Sequence, residues 1–402
     1  MNILLKDFEK AAARLRPILH HTELDLSDTF SRLTGGEIYL KCENRQKTGS
    51  FKIRGASNKI ACLQENGGVS SVVASSAGNH AQGVAYAARQ FGIPATIVMP
   101  KAAPIAKIQA TEGYGAKVVL HGECYDDAYA EALRICEEEG SVFLHPYNDP
   151  EVMAGQGTLG LEMLRDLPEA DMIITPVGGG GLLGGVAAAV KQINPRVKIC
   201  GVQAEGADAM VKSIQAGKLL SSESASTIAD GIAVKNPGDL CWSLIQQYVD
   251  DMVTVSDLQI AEAILLLLER CKQVVEPAGA VPLAAVLNRK IDVEGKKVIC
   301  LMSGGNIDVS FISNIIEQGL FARSRRIRFT VRVLDKPGSL VKLLSIISAA
   351  GANIISVEHD RLKAGLDPNE TTVHIACEVG GEAHGKQLLL AIERQGYRLI
   401  KD

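Results

Sequence analysis

The chain has 402 residues, of which 47% are apolar, and is therefore long enough for two or three domains with sizeable cores. Its formal net charge of −4 at pH 7, with dispersed basic residues, excludes an extended nucleic-acid-binding surface. Nine cysteines without a Cys-x-x-Cys pair are typical of reduced thiols in a cytoplasmic protein, and the lack of a long apolar run predicts no membrane partner.

Most of the chain alternates between helix-like and strand-like segments. Small-residue loops follow several of the strands, and this alternation predicts a mostly parallel, doubly wound α/β sheet with ligand-binding loops at the carboxyl ends of its strands. Helices are expected at residues 4–15, 50–63 with Ser50 as N-cap, 81–91, 106–113, 125–139 and 182–192, and strands at 70–74, 95–99, 117–120, 142–144, 171–177, 197–203 and 298–302.

Beyond about residue 321 the pattern changes. Four strand-like segments and two amphipathic helices follow one another in the order βαββαβ, which predicts a separate ferredoxin-like module. The strands are expected at residues 328–334, 354–360, 372–379 and 397–400, and the helices at 340–347 and 387–394.

Lys52 is the candidate reactive residue. With Ser50 as N-cap it falls in the first turn of a helix, where unpaired N–H groups make the potential positive and lower the pKa of an amine. A partly neutral lysine can attack a carbonyl group and hold it as a Schiff base. A lysine in a helix is more often simply solvated, so the assignment depends on companion segments elsewhere in the chain.

Four glycines, residues 178–181, lie between a predicted strand and a predicted helix. Such a turn exposes N–H groups at the positive end of a helix and can cradle a phosphate. Gly179, Gly181 and Gly184, followed by Glu205, also fit a dinucleotide-binding fingerprint, but that interpretation leaves Lys52 without a role. A P-loop is excluded because no Gly-Lys-Ser or Gly-Lys-Thr follows, and a tight packing turn stays open.

Taken together, these segments resemble the threonine ammonia-lyases (threonine dehydratases), fold-type II pyridoxal phosphate enzymes with a carboxy-terminal ACT domain. The resemblance implies a two-lobed, tryptophan synthase β-like catalytic region over residues 1–320, with a small lobe of about 45–145 inserted in the large lobe, and a regulatory ACT domain over 327–402. It is carried by Lys47–Ala56, Ser76–Gly83, Gly178–Gly181, Glu276–Gly279, Ser303–Asn306 and, more weakly, Asp335–Leu340.

The resemblance also implies roles for individual residues. Lys52 would bind the aldehyde of pyridoxal 5′-phosphate and then remove the substrate α-proton, Asn79 would bond the ring 3′-oxygen, and Ser303 would meet the pyridine nitrogen. The implied cofactor-binding residues are Phe51, Lys52, Asn79, Gly178, Gly179, Gly180, Gly181, Leu182 and Ser303, and the implied substrate-binding residues are Ser76, Ala77, Gly78, Asn79 and His80.

The implied reaction is a β-elimination on a small hydroxyamino acid. A serine hydroxyl at Ser303 cannot hold the pyridine nitrogen strongly protonated, so early loss of the β-hydroxyl is favoured over a long-lived carbanion. L-Threonine would give 2-oxobutanoate and ammonia, and L-serine would give pyruvate. Serine racemase is the nearest competing function, but its second base is replaced here by Ala77. A hydroxyaspartate dehydratase on the same scaffold and a non-catalytic amino-acid sensor also stay open.

Two further expectations concern bound groups. No metal site is expected, because the positions that would be acidic in a racemase-like cation site are Gln203 and Ala209, although Glu205 and Asp208 are neighbours. The ACT-like module is expected to bind an amino-acid effector such as isoleucine or valine and to join subunits into a homo-oligomer, a dimer or tetramer. A purely structural role in oligomerisation is the competing hypothesis.

Overall fold

The computed structural model describes residues 3–361 and 367–400. Two compact units divide the chain, Met1–Asp308 and Val309–Asp402. Within the described ranges, no helix is both long and apolar enough to cross a membrane.

The first unit contains two sheets. One has six strands in the order β1-β2-β10-β7-β8-β9, and the other has four in the order β5-β4-β3-β6. Every neighbouring pair is parallel except β1 with β2, which confirms the predicted α/β class. The strands are β1 (Leu24–Leu26), β2 (Glu37–Cys42), β3 (Val72–Ser75), β4 (Ala95–Met99), β5 (Lys117–Leu120), β6 (Val142–Phe143), β7 (Met172–Pro176), β8 (Lys198–Ala204), β9 (Asp251–Val255) and β10 (Lys297–Met302).

Helices pack on these sheets, and two of them begin shortly after the carboxyl end of a strand, at Asn79 after Ser75 and at Gly181 after Pro176. The helices at residues 52–65 and 150–166 approach each other closely. A Cβ on Gly155 would lie 2.5 Å from the Arg54 carbonyl oxygen, so glycine is required at this contact. The helices are α1 (Leu5–Leu15), α2 (Asp28–Thr34), α3 (Lys52–Glu65), α4 (Asn79–Gln90), α5 (Ile105–Gly113), α6 (Tyr125–Glu139), α7 (Pro150–Asp166), α8 (Gly181–Ile193), α9 (Ala209–Ala216), α10 (Asp239–Tyr248), α11 (Asp257–Leu266) and α12 (Pro277–Leu287).

The start of α3 differs from the prediction. Ser50 is not the N-cap: that position is Phe51, no side chain caps the helix, and the buried Ser50 hydroxyl has no partner among the described residues. Instead, the backbone of Ser50 bridges Gly304, and the Phe51 N–H donates to the Ser303 carbonyl at 3.0 Å. The helix start is therefore fixed by a long-range backbone contact with the segment after β10, which no local pattern indicates.

The second unit confirms the predicted ferredoxin-like order. After α13 (Val309–Ala322) come β11 (Arg326–Leu334), α14 (Ser339–Ala349), β12 (Asn353–Asp360), β13 (Glu370–Glu378), α15 (Glu382–Arg394) and β14 (Arg398–Ile400). The strands pair antiparallel in the order β12-β13-β11-β14. Buried apolar side chains from both layers, including Val331, Leu343, Val373 and Leu388, form its core. This unit thus has a hydrophobic core of its own.

Candidate active site

Lys52 is the first residue of α3 and is half-buried. Its Nζ donates to the Pro146 carbonyl at 3.1 Å and lies 5.3 Å from the centroid of the Phe51 ring. Burial lowers the pKa of Lys52 to about 8, although the Glu276 carboxyl opposes that change. The predicted direction of the pKa change is found, but desolvation causes it. An amine of this kind is partly neutral near neutral pH and can act as a nucleophile.

The four glycines run from shortly after the end of β7 to the first residue of α8. Gly180 has φ of +100°, which favours glycine. A Cβ on Gly179 would lie 2.4 Å from the Tyr147 ring, so a larger residue would disturb the turn. In the described part of the chain, no protein acceptor takes a hydrogen bond from the N–H groups of residues 178–182. These N–H groups at a helix start fit the phosphate of the implied cofactor.

The segment between β6 and α7 links the amine to the glycine turn. Its Pro146 carbonyl accepts from Lys52, and the carbonyl oxygen of the next residue, Tyr147, would lie 2.7 Å from a Cβ on Gly181. The Tyr147 hydroxyl donates to the Asn236 carbonyl at 2.8 Å, which anchors the ring. Lys52 and the turn therefore face one segment. Sequence reasoning missed Tyr147, because this loop carries no glycine pattern.

Asn79 begins α4, directly after the loop of residues 76–78. Its Nδ2 donates to both oxygens of Glu276, at 2.8 and 2.9 Å, and its Oδ1 accepts from Asn306 Nδ2 at 2.8 Å. In the loop, Ser76 Oγ accepts from the Gly78 N–H at 3.2 Å, and the space beside Gly78 is open for 4 Å. Ala77 carries no polar side-chain group. The loop thus leaves room for a ligand next to a fixed amide.

His80 follows in the first turn of α4 and is buried. Its Nε2 lies 2.8 Å from the Leu144 carbonyl, which can only accept, so Nε2 carries the proton. Burial, assisted by the Lys52 charge, lowers the pKa of His80 to about 3. The imidazole is therefore neutral, and its buried Nδ1 has no hydrogen-bond partner among the described residues. A neutral Nδ1 can only accept, so the donor that His80 offers to a carboxylate is its backbone N–H.

Ser303 follows β10 and is buried beside the start of α3, since its carbonyl accepts from the Phe51 N–H at 3.0 Å. The structure thus brings Ser303 next to the residue before Lys52, across about 250 positions of sequence, as the parallel sheet allows. Glu276 and Asn306 also reach this region through Asn79. Both lie in motifs that the sequence analysis quoted without giving them a role.

Gly184, Glu205 and Gln203 belong to the alternative dinucleotide and cation patterns of the sequence. The space where a Gly184 Cβ would lie borders Met153 and Leu244, where helices pack against one another, and Glu205 is exposed. Gln203 stands where a racemase-like cation site would have an acidic residue, and its Oε1 accepts from the Val211 N–H at 2.9 Å. Among the described residues, no cluster of three or more His, Cys, Asp or Glu side chains is arranged to hold a metal ion.

Comparison with known proteins identifies the family. A family model described as pyridoxal-phosphate dependent enzyme matches residues 15–304. The L-threonine ammonia-lyase of Thermotoga maritima is 51% identical over 397 residues, which cover 99% of each chain. Among solved structures, the processed form of threonine deaminase isoform 2 from Solanum lycopersicum has a TM-score of 0.76 at 35% identity, covering 79% of this chain and 88% of that one.

A second similar solved structure is that of a serine racemase. Maize serine racemase has a TM-score of 0.75 at 38% identity, covering 80% of this chain and 99% of that one. The amine and the glycine cradle lie within the matched residues, and the same family model spans both sheets of the first unit. The chain therefore belongs to the pyridoxal-phosphate dependent enzymes.

Proposed function

We propose that the protein is a threonine ammonia-lyase that converts L-threonine to 2-oxobutanoate and ammonia, and L-serine to pyruvate and ammonia. The proposal rests on the position of the half-buried Lys52 amine beside the glycine turn. The amine donates to Pro146, and the turn, whose N–H groups are unpaired among the described residues, lies against the next residue, Tyr147. The substrate is supported by the relative named L-threonine ammonia-lyase, which matches almost the whole chain.

Each residue of the proposed site has its own role toward the cofactor or the substrate. When bound, pyridoxal 5′-phosphate supplies an aldehyde that combines with amines and a ring that withdraws electrons from the substrate α-carbon. The N–H groups of residues 178–182 would hold its phosphate, with Ser303 toward the pyridine nitrogen and Asn79 toward the ring 3′-oxygen. Lys52 Nζ would bind the aldehyde and, once freed by the substrate amine, remove the α-proton.

The loop before α4 supports elimination rather than racemisation. The substrate carboxylate would lie among the donors of residues 76–80, at the amino-terminal end of a helix, where negative charge is favoured. Racemisation needs an acid–base group on the face opposite Lys52, and the side chain of Ala77 cannot accept or donate a proton. A serine hydroxyl at Ser303 would not hold the pyridine nitrogen strongly protonated, so negative charge at the substrate α-carbon would be short-lived. Loss of the β-hydroxyl soon after the α-proton is therefore favoured.

A substrate panel tests this function. Purified protein with added cofactor is expected to release 2-oxo acid from L-threonine and L-serine, with far less D-serine formed from L-serine than pyruvate. Rapid formation of D-serine without matching pyruvate would contradict the proposal and favour a racemase. Release of 2-oxo acid only from hydroxyaspartate would favour a hydroxyaspartate dehydratase. A protein that binds amino acids but releases no product would favour a sensor.

We infer further that residues 1–320 form the catalytic domain, with a small lobe at about 45–145, and that 327–402 form an ACT domain in a cytoplasmic homo-oligomer. Support for the module comes from its ferredoxin-like strand order and from the turn before α14, where Gly338 has φ of +85° and Asp335 pairs with Arg361 at 2.8 Å. All nine cysteines are free thiols, which is typical of the cytoplasm.

Deleting the residues after Arg326 tests the regulatory assignment. The full chain is expected to change its activity with isoleucine or valine, and the truncated chain is expected to keep basal activity without that response. An unchanged response after truncation would exclude the module as the sensor. A loss of oligomeric state with no effector response in either chain would favour a purely structural role.

A further inference from the structure

Glu276 is a buried carboxyl group that the proposed reaction does not use. It is 4% exposed and immediately precedes α12. A Cβ on Gly304 would lie 2.4 Å from Glu276 Oε1, so glycine at that position makes room for the carboxyl group. In the described part of the chain, Glu276 forms no ion pair, and Asn79 Nδ2 donates to both of its oxygens. Burying a carboxylate without an ion pair costs free energy, and a group kept in such surroundings is a candidate functional residue.

A chain of amides gives Asn79 one orientation. The Thr48 carbonyl can only accept, so the amide atom 2.7 Å from it is Asn306 Nδ2, a donor. The same Nδ2 lies 2.8 Å from the Asn79 amide, whose nearer atom must therefore be the acceptor Oδ1. Asn79 Nδ2 then faces Glu276, which accepts as a carboxylate. Loss of that acceptor would leave Nδ2 unpaired and release the amide.

The charged groups that face Glu276 come from three elements. They are Lys52 on α3, Asp230 in the segment 230–232, and Lys107 on α5. Lys107 and Asp230 pair with each other at 3.0 Å, which largely cancels their fields. Lys52 has no carboxylate within ion-pair distance in the described ranges. Glu276 and Lys52 are therefore the two charged groups of the site that form no ion pair among the described residues.

The other titratable groups near Lys52 stay uncharged near neutral pH. Burial lowers the pKa of His80 to about 3 and that of His145 to about 4, and burial raises the pKa of the Cys241 thiol to about 12. By contrast, burial raises the pKa of Glu276 to about 7 and lowers that of Lys52 to about 8. Of these described groups near Lys52, Glu276 and Lys52 are the two whose pKa lies near neutral pH.

We propose that Glu276 is a positioning residue of the proposed reaction, which fixes the orientation of the Asn79 amide and provides the titratable counter-charge of the Lys52 amine. This inference rests on the proposed function, because it concerns the same amine. Its two parts are separable, since orientation depends on an acceptor at the right place and the counter-charge depends on ionisation. Variants can remove one part and keep the other.

Glu276→Gln removes the charge and keeps the size of the side chain. In full-length protein freed of cofactor and labelled with carbon-13 at the lysine ε-carbon, the Lys52 signal, assigned with Lys52→Arg, should titrate about one pH unit lower than in wild type. The control is Glu65→Gln, which removes an exposed carboxyl group at the far end of the same helix and should leave the Lys52 midpoint unchanged. An unchanged midpoint in Glu276→Gln would overturn the counter-charge.

Glu276→Asp keeps the charge but shortens the reach to Asn79. It should leave the Lys52 midpoint near its wild-type value and lower kcat for 2-oxo acid release roughly 10- to 100-fold, and wild-type kcat would overturn the orienting role. This variant also decides the proposal if Glu276→Gln fails to fold. The NMR titration needs no turnover, so absence of 2-oxo acid from wild type would refute the proposed function while the Lys52 midpoint still tests Glu276.

Discussion

Lys52 and Arg54 are two cationic residues at the start of α3, and their charged ends lie in opposite surroundings. Arg54 is fully buried. Its guanidinium makes two-pronged bonds to Glu43, both at 2.8 Å, and to Glu162, at 2.7 and 2.9 Å, and it donates to Thr158 at 3.1 Å. Lys52 is half-buried and donates to a single uncharged carbonyl.

The difference shows how one helix can both hold a site and react within it. Burial alone would lower the pKa of Arg54, but Glu43 and Glu162 outweigh burial and raise the pKa above its ordinary value. The guanidinium is therefore always charged, and it ties α3 to the segment after β2 and to α7. Burial lowers the pKa of Lys52 because no carboxylate pairs with it closely. A buried cation with complete partners is structural, and one without them is available for chemistry.

Replacing Lys52 should give the largest effect. Lys52→Ala removes the nucleophile and base, so kcat for 2-oxobutanoate release should fall by at least roughly 10³-fold, while the fold is kept. Lys59→Ala is the matched control, since Lys59 lies on the same helix and only pairs with Asp149 and Glu151. Its activity should stay within about twofold of wild type. Substantial turnover by Lys52→Ala would show that another residue carries the chemistry.

Replacing Arg54 should break the other side of the comparison. Arg54→Met leaves Glu43 without its cation and leaves Glu162 with Lys41 but without Arg54, and breaking a buried pair in this way costs about 3–5 kcal/mol of unfolding free energy. Denaturant unfolding measures this loss, and Lys52→Ala in the same assay should change stability by about 1 kcal/mol or less. If Arg54→Met had wild-type stability, the network would not be what holds α3.

Sequence patterns indicate Lys52 as the candidate reactive residue, but they do not indicate the ion-pair partners of Arg54. Lys52, Asn79 and the glycines of residues 178–181 lie in local patterns of small residues with recognisable chemistry, and most helices and strands follow from periodicity. Two of the partners of Arg54, Thr158 and Glu162, lie 104 and 108 positions away in the chain. Local patterns carry no record of such contacts.

The same limitation explains the error at Ser50 and the residues that were missed. A serine before a helix is a common N-cap, but here the backbone of Ser50 bridges Gly304, and the Ser50 hydroxyl makes no hydrogen bond to the helix end. Glu276 lies in a quoted motif, yet its contact with Asn79 depends on how two distant loops meet. Tyr147 has no local signal at all.

The glycine turn offers a test of intermediate size. Gly179→Ala places a Cβ 2.4 Å from the Tyr147 ring, so the turn must shift and its N–H groups lose alignment with the phosphate. The dissociation constant of pyridoxal 5′-phosphate, measured by absorbance titration, should rise on the order of 10- to 100-fold. Gly113→Ala is the control, because no atom lies within 4 Å of its Cβ. Equal affinity in both variants would exclude the turn as the cradle.

The smallest effect concerns pH and sharpens the contrast between two lysines of α3. The nucleophile is the neutral amine, so with a pKa of about 8 the rate at which the cofactor-free chain takes up pyridoxal 5′-phosphate should rise about tenfold from pH 7 to pH 9 and then level off. Burial alone would lower the pKa of Lys59, but Asp149 and Glu151 raise it above its ordinary value. Modification of Lys59 by an amine-reactive probe should therefore keep rising beyond pH 10. An uptake rate that also rises without levelling would mean that Lys52 titrates as an ordinary solvated lysine, and the comparison with Arg54 would lose its reactive half.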